Sequence, residues 1–109
     1  MQGYDVQDAL ARIAKSLRRA GAREPDGELH AWIDRAIAAD MAYMRAAGVI
    51  DAQGDWLDGE AYDEDDACEA VFEAMEREDM DEDAVQALLL RLDAFMQTET
   101  DYLAQIGLL

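Results

Sequence analysis

The pattern of apolar positions predicts a helix near the amino end of the chain. Asp5 is suited to cap its start, because a short side-chain oxygen accepts hydrogen bonds from the first free backbone N–H groups. Gly21 and the turn residues 24–27 interrupt the pattern, so the helix should cover about residues 5–20. Its apolar residues recur at spacings of four and three and form one stripe: Val6, Leu10, Ile13, Leu17 and Ala20.

A second amphipathic helix is predicted for about residues 27–47. Gly48 is its stop, since glycine readily takes the left-handed conformation that ends a helix. The residues expected to face the core are Leu29, Trp32, Ile33, Ala36, Ile37, Met41 and Met44.

Residues 49–62 contain two glycines and four carboxylates and show no helical period. We expect an ordered acidic loop in this stretch. The alternative is a short hairpin that turns at Gln53 and Gly54, which would not change the fold class. The side chains expected to hold the loop in place are Ile50, Trp56 and Leu57.

Two further helices are predicted, for about residues 64–79 and 82–106. Asp63 caps the first, with Asp66 three residues later as its capping-box partner, and Asp81 opens the second. The expected core residues of the third helix are Cys68, Val71, Phe72 and Met75. Those of the fourth are Val85, Leu88, Leu89, Leu92, Phe95, Met96, Tyr102, Leu103 and Ile106.

These elements predict an all-α fold: a compact bundle of about four helices, with the acidic loop between the second and third. The scarcity of valine, isoleucine, threonine, glycine and proline agrees with a helical fold. The 109 residues are enough for one core, so the sequence predicts a single domain over residues 1–109. Short connections favour antiparallel neighbouring helices.

The net charge of −17 is concentrated in one block. Residues 1–50 carry seven acids and seven bases, whereas residues 51–83 carry sixteen acids and one base, Arg77. The sequence shows neither a secretory signal pattern nor an apolar stretch long enough to span a bilayer, and it has one cysteine. We therefore expect a cytoplasmic protein that does not bind membranes.

The densest part of the acidic block lies on the third predicted helix. Its carboxylates recur at spacings of three and four, so they share one face, opposite the core residues. We predict that this face and its flanks bind a partner. The predicted binding residues are Asp63, Asp66, Glu69, Glu73, Glu76, Asp79 and Asp81. The alternative is a solvated face that only keeps the protein soluble.

A rigid row of carboxylates can compete with a phosphate backbone for a basic surface, whereas it disfavours direct binding to DNA or RNA. In charge and size the chain is similar to DNA-mimicking anti-restriction and anti-CRISPR proteins and to the immunity proteins of nuclease toxins. No sequence motif ties it to any of these families. We therefore hypothesise that the protein is a non-enzymatic inhibitor that binds a basic surface of a partner protein. The expected partner class is proteins that handle nucleic acid.

Catalytic and metal-binding patterns are weak, so we expect no enzyme activity and no metal or cofactor. Asp51, Asp55 and Asp58 cluster in the loop, but a calcium loop starting at Asp51 would need glycine at its sixth position and glutamate at its twelfth. His30 is expected at the surface. Burial and nearby acids should raise the pKa of Cys68 rather than activate its thiol.

Two acids interrupt apolar stripes, Asp40 in the second helix and Glu99 in the fourth. A buried carboxylate needs a partner, and the arginines of the first helix are the expected ones. The alternative function is a helical scaffold that associates through an apolar carboxyl-terminal surface, with homodimer formation left open. That surface would comprise Tyr102, Leu103, Ile106, Leu108 and Leu109.

Overall fold

A computed structural model describes residues 4–53, 55–57 and 62–107. It contains four helices: α1 (Val6–Arg19), α2 (Asp26–Ala46), α3 (Glu64–Met75) and α4 (Glu82–Gln105). The predicted all-α bundle is confirmed. No helix in the described ranges combines the length and apolarity needed to cross a membrane.

Acidic residues cap three of the four helices at their amino ends. The Asp5 carboxylate accepts backbone N–H groups of residues 7 and 8, and Asp63 does the same for residues 65 and 66. Asp81 accepts the N–H of residue 84. Each cap satisfies donors that the helix leaves free, which is worth about 1 kcal/mol. Part of the acidic block therefore defines helix starts.

The third helix is shorter than the sequence predicted. It ends at Met75, and Glu76 has an extended backbone with φ −68° and ψ 141°, whereas the expected end was near Asp79. Residues 76–79 are all exposed, so no burial favours a further turn. Met80 is half-buried and packs against the core beyond this break.

The helices form a ring in which each contacts its two neighbours along the chain, and α4 closes the ring on α1. The hydroxyl of Thr98 lies 2.8 Å from that of Ser16, which ties α4 to α1. Among the described residues α1 and α3 make no helix-to-helix contact, so they occupy diagonal corners of the bundle. The Trp32 and Phe95 rings meet edge to face across the interior, joining α2 to α4.

The main core draws on all four helices, and a second, small cluster joins the end of α2 to the loop after it. Three predicted apolar-stripe residues are exposed: Ala20, Val6 at 39% and Leu89 at 41%. Val6 is the first residue of α1, at the end of the bundle, and Leu89 lies beside Leu88, which takes the buried position. The fully enclosed side chains include Ile13, Leu17, Leu29, Ile33, Val71, Leu92, Phe95 and Leu103.

The loop after α2 is ordered in its described part. Ile50 and Trp56 form an isolated antiparallel bridge, and the Leu57 N–H donates to the Val49 carbonyl at 2.9 Å. In the described residues, the hairpin predicted as an alternative is limited to this one bridge. The Asp51 carboxylate accepts N–H groups from residues 53 and 55, so it stabilises the turn.

Candidate partner-binding face and buried acid pair

The solvent side of α3 presents a row of carboxylates, as the sequence predicted. Asp66, Glu69 and Glu73 are exposed, while Ala67, Val71 and Met75 bury the opposite side of the helix. At a rise of about 1.5 Å per residue, the three exposed acids extend over roughly 10 Å. Glu76 is also exposed and follows directly after the last helical residue.

The seven predicted binding residues divide into two groups. Asp63 and Asp81 are engaged in helix capping, and Asp79 lies 4.0 Å from Arg77. The other four have exposed side chains without an ion pair inside the described part of the chain. We call these four the α3 acid row: Asp66, Glu69, Glu73 and Glu76.

None of the ion pairs in the described residues involves the α3 acid row; Arg77, which directly follows Glu76, instead lies 4.0 Å from Asp79. The ion pairs found elsewhere in the described residues are Arg12 with Asp8, Arg18 with Asp26, and Arg91 with Glu24. The Glu24 carboxylate accepts two hydrogen bonds of 2.8 Å from Arg91, and this lowers the pKa of Glu24. The four bases of α1 lie on a helix that, within the described residues, makes no contact with α3.

A groove of about 420 Å³ between α1 and α4 holds the opposite charge. Arg12, Lys15 and Arg19 line it together with hydroxyl and amide side chains and one acid, Asp101. The Arg12 guanidinium lies over the Tyr102 ring, 5.3 Å from its centroid. The molecule thus separates a basic edge from an acidic edge.

Asp40 and Glu99 are both fully buried, with no exposed surface. The prediction that arginines of the first helix pair with them is wrong. The Tyr62 hydroxyl donates to Asp40 Oδ1 at 2.7 Å, and the Tyr4 hydroxyl lies 2.8 and 2.9 Å from the two Glu99 oxygens. Tyrosines meet this need because a phenol donates a hydrogen bond while its ring stays in the apolar interior.

Burial controls the ionisation of this acid pair. Loss of water raises the pKa of Asp40 to about 6, while the hydrogen bonds from Tyr62 and Glu99 act in the opposite direction. Loss of water, followed by the charge of Asp40, raises the pKa of Glu99 to about 8. The same burial and the adjacent carboxylates raise the pKa of both Tyr4 and Tyr62.

The helical periodicity singles out the two acids but not the tyrosines that donate hydrogen bonds to them. Tyr4 precedes α1, and Tyr62 directly precedes the residue that caps α3. Their positions beside helix starts were the available signal, because a short segment entering a bundle can place a side chain between two helices. Periodicity alone does not reveal this arrangement.

The other residues considered as candidates are Cys68, His30 and the acids of the loop after α2. Cys68 is half-buried against the core, and burial, then Asp93, then Asp65, raises the pKa of its thiol, in the predicted direction. His30 is exposed. Asp58, Leu108 and Leu109 lie outside the described residues.

The apolar surface proposed for self-association is largely internal. Tyr102 is 3% exposed and Leu103 is 0% exposed, so both belong to the core of the chain itself. Ile106 is half-buried. Among the described leucines the most exposed is instead Leu90, at 70%, in the first half of α4. The described part of the carboxyl-terminal surface therefore has little apolar area left to offer a partner.

Comparison with known proteins gives no family for this chain. No protein-family model matches it, and no curated protein or solved structure gives a significant match.

Proposed function

We propose that this protein is a non-enzymatic acidic binding protein whose α3 acid row engages a basic surface on a partner protein. The partner class we propose is a protein that handles nucleic acid, with the chain acting as a nucleic-acid-mimicking inhibitor in the cytoplasm. The observation that carries the proposal is that three exposed carboxylates follow the solvent side of α3, with a fourth, Glu76, directly after it, and that none has an ion pair in the described part of the chain.

The spacing of the row supports mimicry of a phosphate backbone. Carboxylates three or four residues apart on a helix are separated by about 5 Å along its axis. A DNA strand carries one phosphate per roughly 3.4 Å of helix axis, so the two charge densities are similar. A groove lined with arginine and lysine could therefore accept either ligand.

The rigidity of the row also supports binding. The Asp63 cap fixes the start of α3, and Ala67, Val71 and Met75 anchor its inner side in the core. The row is therefore ordered before any partner arrives, so binding avoids much of the entropy cost of ordering long side chains on a mobile segment. Charge of one sign also accelerates encounter with a basic partner.

Affinity capture from the native host tests the proposal with two matched variants. The row variant carries Asp66→Asn, Glu69→Gln, Glu73→Gln and Glu76→Gln. The control variant removes four exposed acids elsewhere, by Glu28→Gln, Asp34→Asn, Asp93→Asn and Asp101→Asn. Because both variants lose four negative charges, they separate the position of the charge from its amount.

We expect wild type and the control variant to capture the same proteins at low salt and release them at high salt. The row variant should bind those proteins roughly a hundredfold more weakly, on the assumption of somewhat under 1 kcal/mol per lost charge. Added double-stranded DNA should displace the captured protein. Equal capture by wild type and the row variant, or binding that high salt leaves unchanged, would refute the proposal.

A further inference from the structure

The oxygen Oδ2 of Asp40 is buried and has no N–H or O–H donor among the described protein groups. The Tyr62 hydroxyl donates a hydrogen bond to the other oxygen, Oδ1, and the Tyr4 hydroxyl donates to Glu99. The nearby Glu99 carboxyl acts on the pKa of Asp40, and Asp40 acts on the pKa of Glu99. Two ionised carboxylates cannot hydrogen-bond to each other, because neither has a hydrogen to donate.

We infer that Asp40 and Glu99 form an internal binding site for a single proton, which the two carboxyl groups share at the centre of the bundle. The proton on Glu99 donates to Asp40 and supplies the bond that Oδ2 lacks. Together the pair then carries one negative charge, which the two tyrosine hydroxyls stabilise. This inference is independent of any partner that the α3 acid row binds.

The surroundings of the pair favour a proton over a positively charged side chain. The titratable groups beside it are Tyr4 from the amino-terminal segment and Tyr62 from the segment before α3, and the Asp40 charge also reaches Tyr43. Tyr102 acts on Tyr4, and Glu64 acts on Tyr62. The Arg12 guanidinium lies over the Tyr102 ring, 5.3 Å from its centroid. None of the described lysines or arginines forms an ion pair with either carboxyl group. Leaving both carboxyls ionised would bury two adjacent negative charges, which is very costly in an apolar interior.

The direction of the pKa shifts agrees with this assignment and fixes the sign of the pH effect. Outside the fold, the two carboxyls have ordinary pKa values of 3.8 and 4.5, whereas in the folded protein they are about 6 and about 8. Between about pH 6 and 8 the folded protein holds one proton that the unfolded chain has released, and below about pH 6 it takes up a second. The stabilisation is therefore complete below about pH 4 and is lost as the pH rises to about 8.

The proton also connects two segments that lead into helices. Tyr4 and Tyr62 each contact one carboxyl of the pair, and they lie just before α1 and α3. Loss of the proton places a second negative charge between them. Both helix starts should therefore loosen at high pH.

Infrared spectroscopy of the folded wild-type protein detects the proton directly. A protonated carboxylic acid has a carbonyl stretching band that is separate from the carboxylate bands. We expect this band near pH 6.5, and we expect it to disappear as the pH rises beyond about 8. A folded protein that lacks the band near pH 6.5 would overturn the inference.

Chemical unfolding at a series of pH values supplies a second test, with two variants. Glu99→Gln replaces the shared proton by a permanent N–H donor, and Asp93→Asn removes an exposed acid from the same helix. For wild type and Asp93→Asn the unfolding equilibrium constant should rise about tenfold per pH unit between about pH 6 and 8, for one proton. For Glu99→Gln it should rise much less.

Parallel pH profiles for wild type and Glu99→Gln would contradict the shared proton. If Glu99→Gln does not fold, Asp40→Asn takes its place, since an amide at residue 40 also donates to Glu99 without a proton. The infrared band needs no variant, so the inference stays testable even if neither variant folds.

Discussion

The acids of α3 and the acids of the core share the same chemistry but occupy opposite environments. The α3 acid row remains in contact with water, whereas Asp40 and Glu99 have no exposed surface. Like charges three or four residues apart on a solvated helix cost a few tenths of a kcal/mol per pair. Two negative charges side by side in the interior cost several kcal/mol, so a proton neutralises one carboxylate of the buried pair.

This difference shows that the number of acids does not determine what they do. Water screens the row, and its charge remains available to an outside partner. The interior pair is inaccessible to any partner, and it acts on the stability of the chain itself. One protein thus uses carboxylates both as an external surface and as an internal polar network.

The largest expected difference comes from replacing a glutamate by alanine in the core and on the exposed side of α3. Glu99→Ala should lower the free energy of unfolding by about 3 kcal/mol near neutral pH, because it leaves a cavity and removes the partners of Tyr4 and Asp40. Glu73→Ala, on the exposed side of α3, should change it by less than about 0.5 kcal/mol. Urea unfolding followed by circular dichroism measures both. Equal losses would mean that Glu99 is not held in the interior.

A smaller difference in stability is expected between phenylalanine variants of two tyrosines, Tyr43 and Tyr62. Their rings contact each other edge to face. Tyr62→Phe removes the donor to Asp40 Oδ1 and should cost about 1–2 kcal/mol. Tyr43→Phe keeps that hydrogen bond and should cost less than half as much. Thermal and urea unfolding of the two variants provide the measurement. If both variants lost the same stability, the hydrogen bond to Asp40 would contribute nothing beyond ring packing.

The smallest expected effect concerns the repulsion within the α3 acid row. The row variant described above should be more stable than wild type by up to about 1 kcal/mol at low salt, because it removes like-charge pairs. High salt should reduce this difference, since mobile ions screen exposed charges. Unfolding curves at two salt concentrations test this. A stability gain that did not change with salt would mean that the row is not solvated as described.

The sequence by itself determined the helices and most of their faces. The spacing of Leu10, Ile13 and Leu17 predicts the buried side of α1 because a helix brings such positions together wherever it packs. The acidic caps were predictable for the same reason, since capping depends on residues only two or three positions apart. The exposed side of α3 also followed from its local pattern of acids and apolar residues.

Relations between distant residues were decided only by the tertiary structure. No local pattern places Tyr4 beside Glu99, because 95 positions separate them and their contact depends on how α1 packs against α4. The partner of Asp40 likewise follows from the path of the loop before α3. Whether a carboxylate is ionised depends on the water and the donors around it, and packing alone determines both. The diagonal placement of α1 and α3 likewise leaves the bases of α1 on a helix that makes no contact with α3 in the described residues.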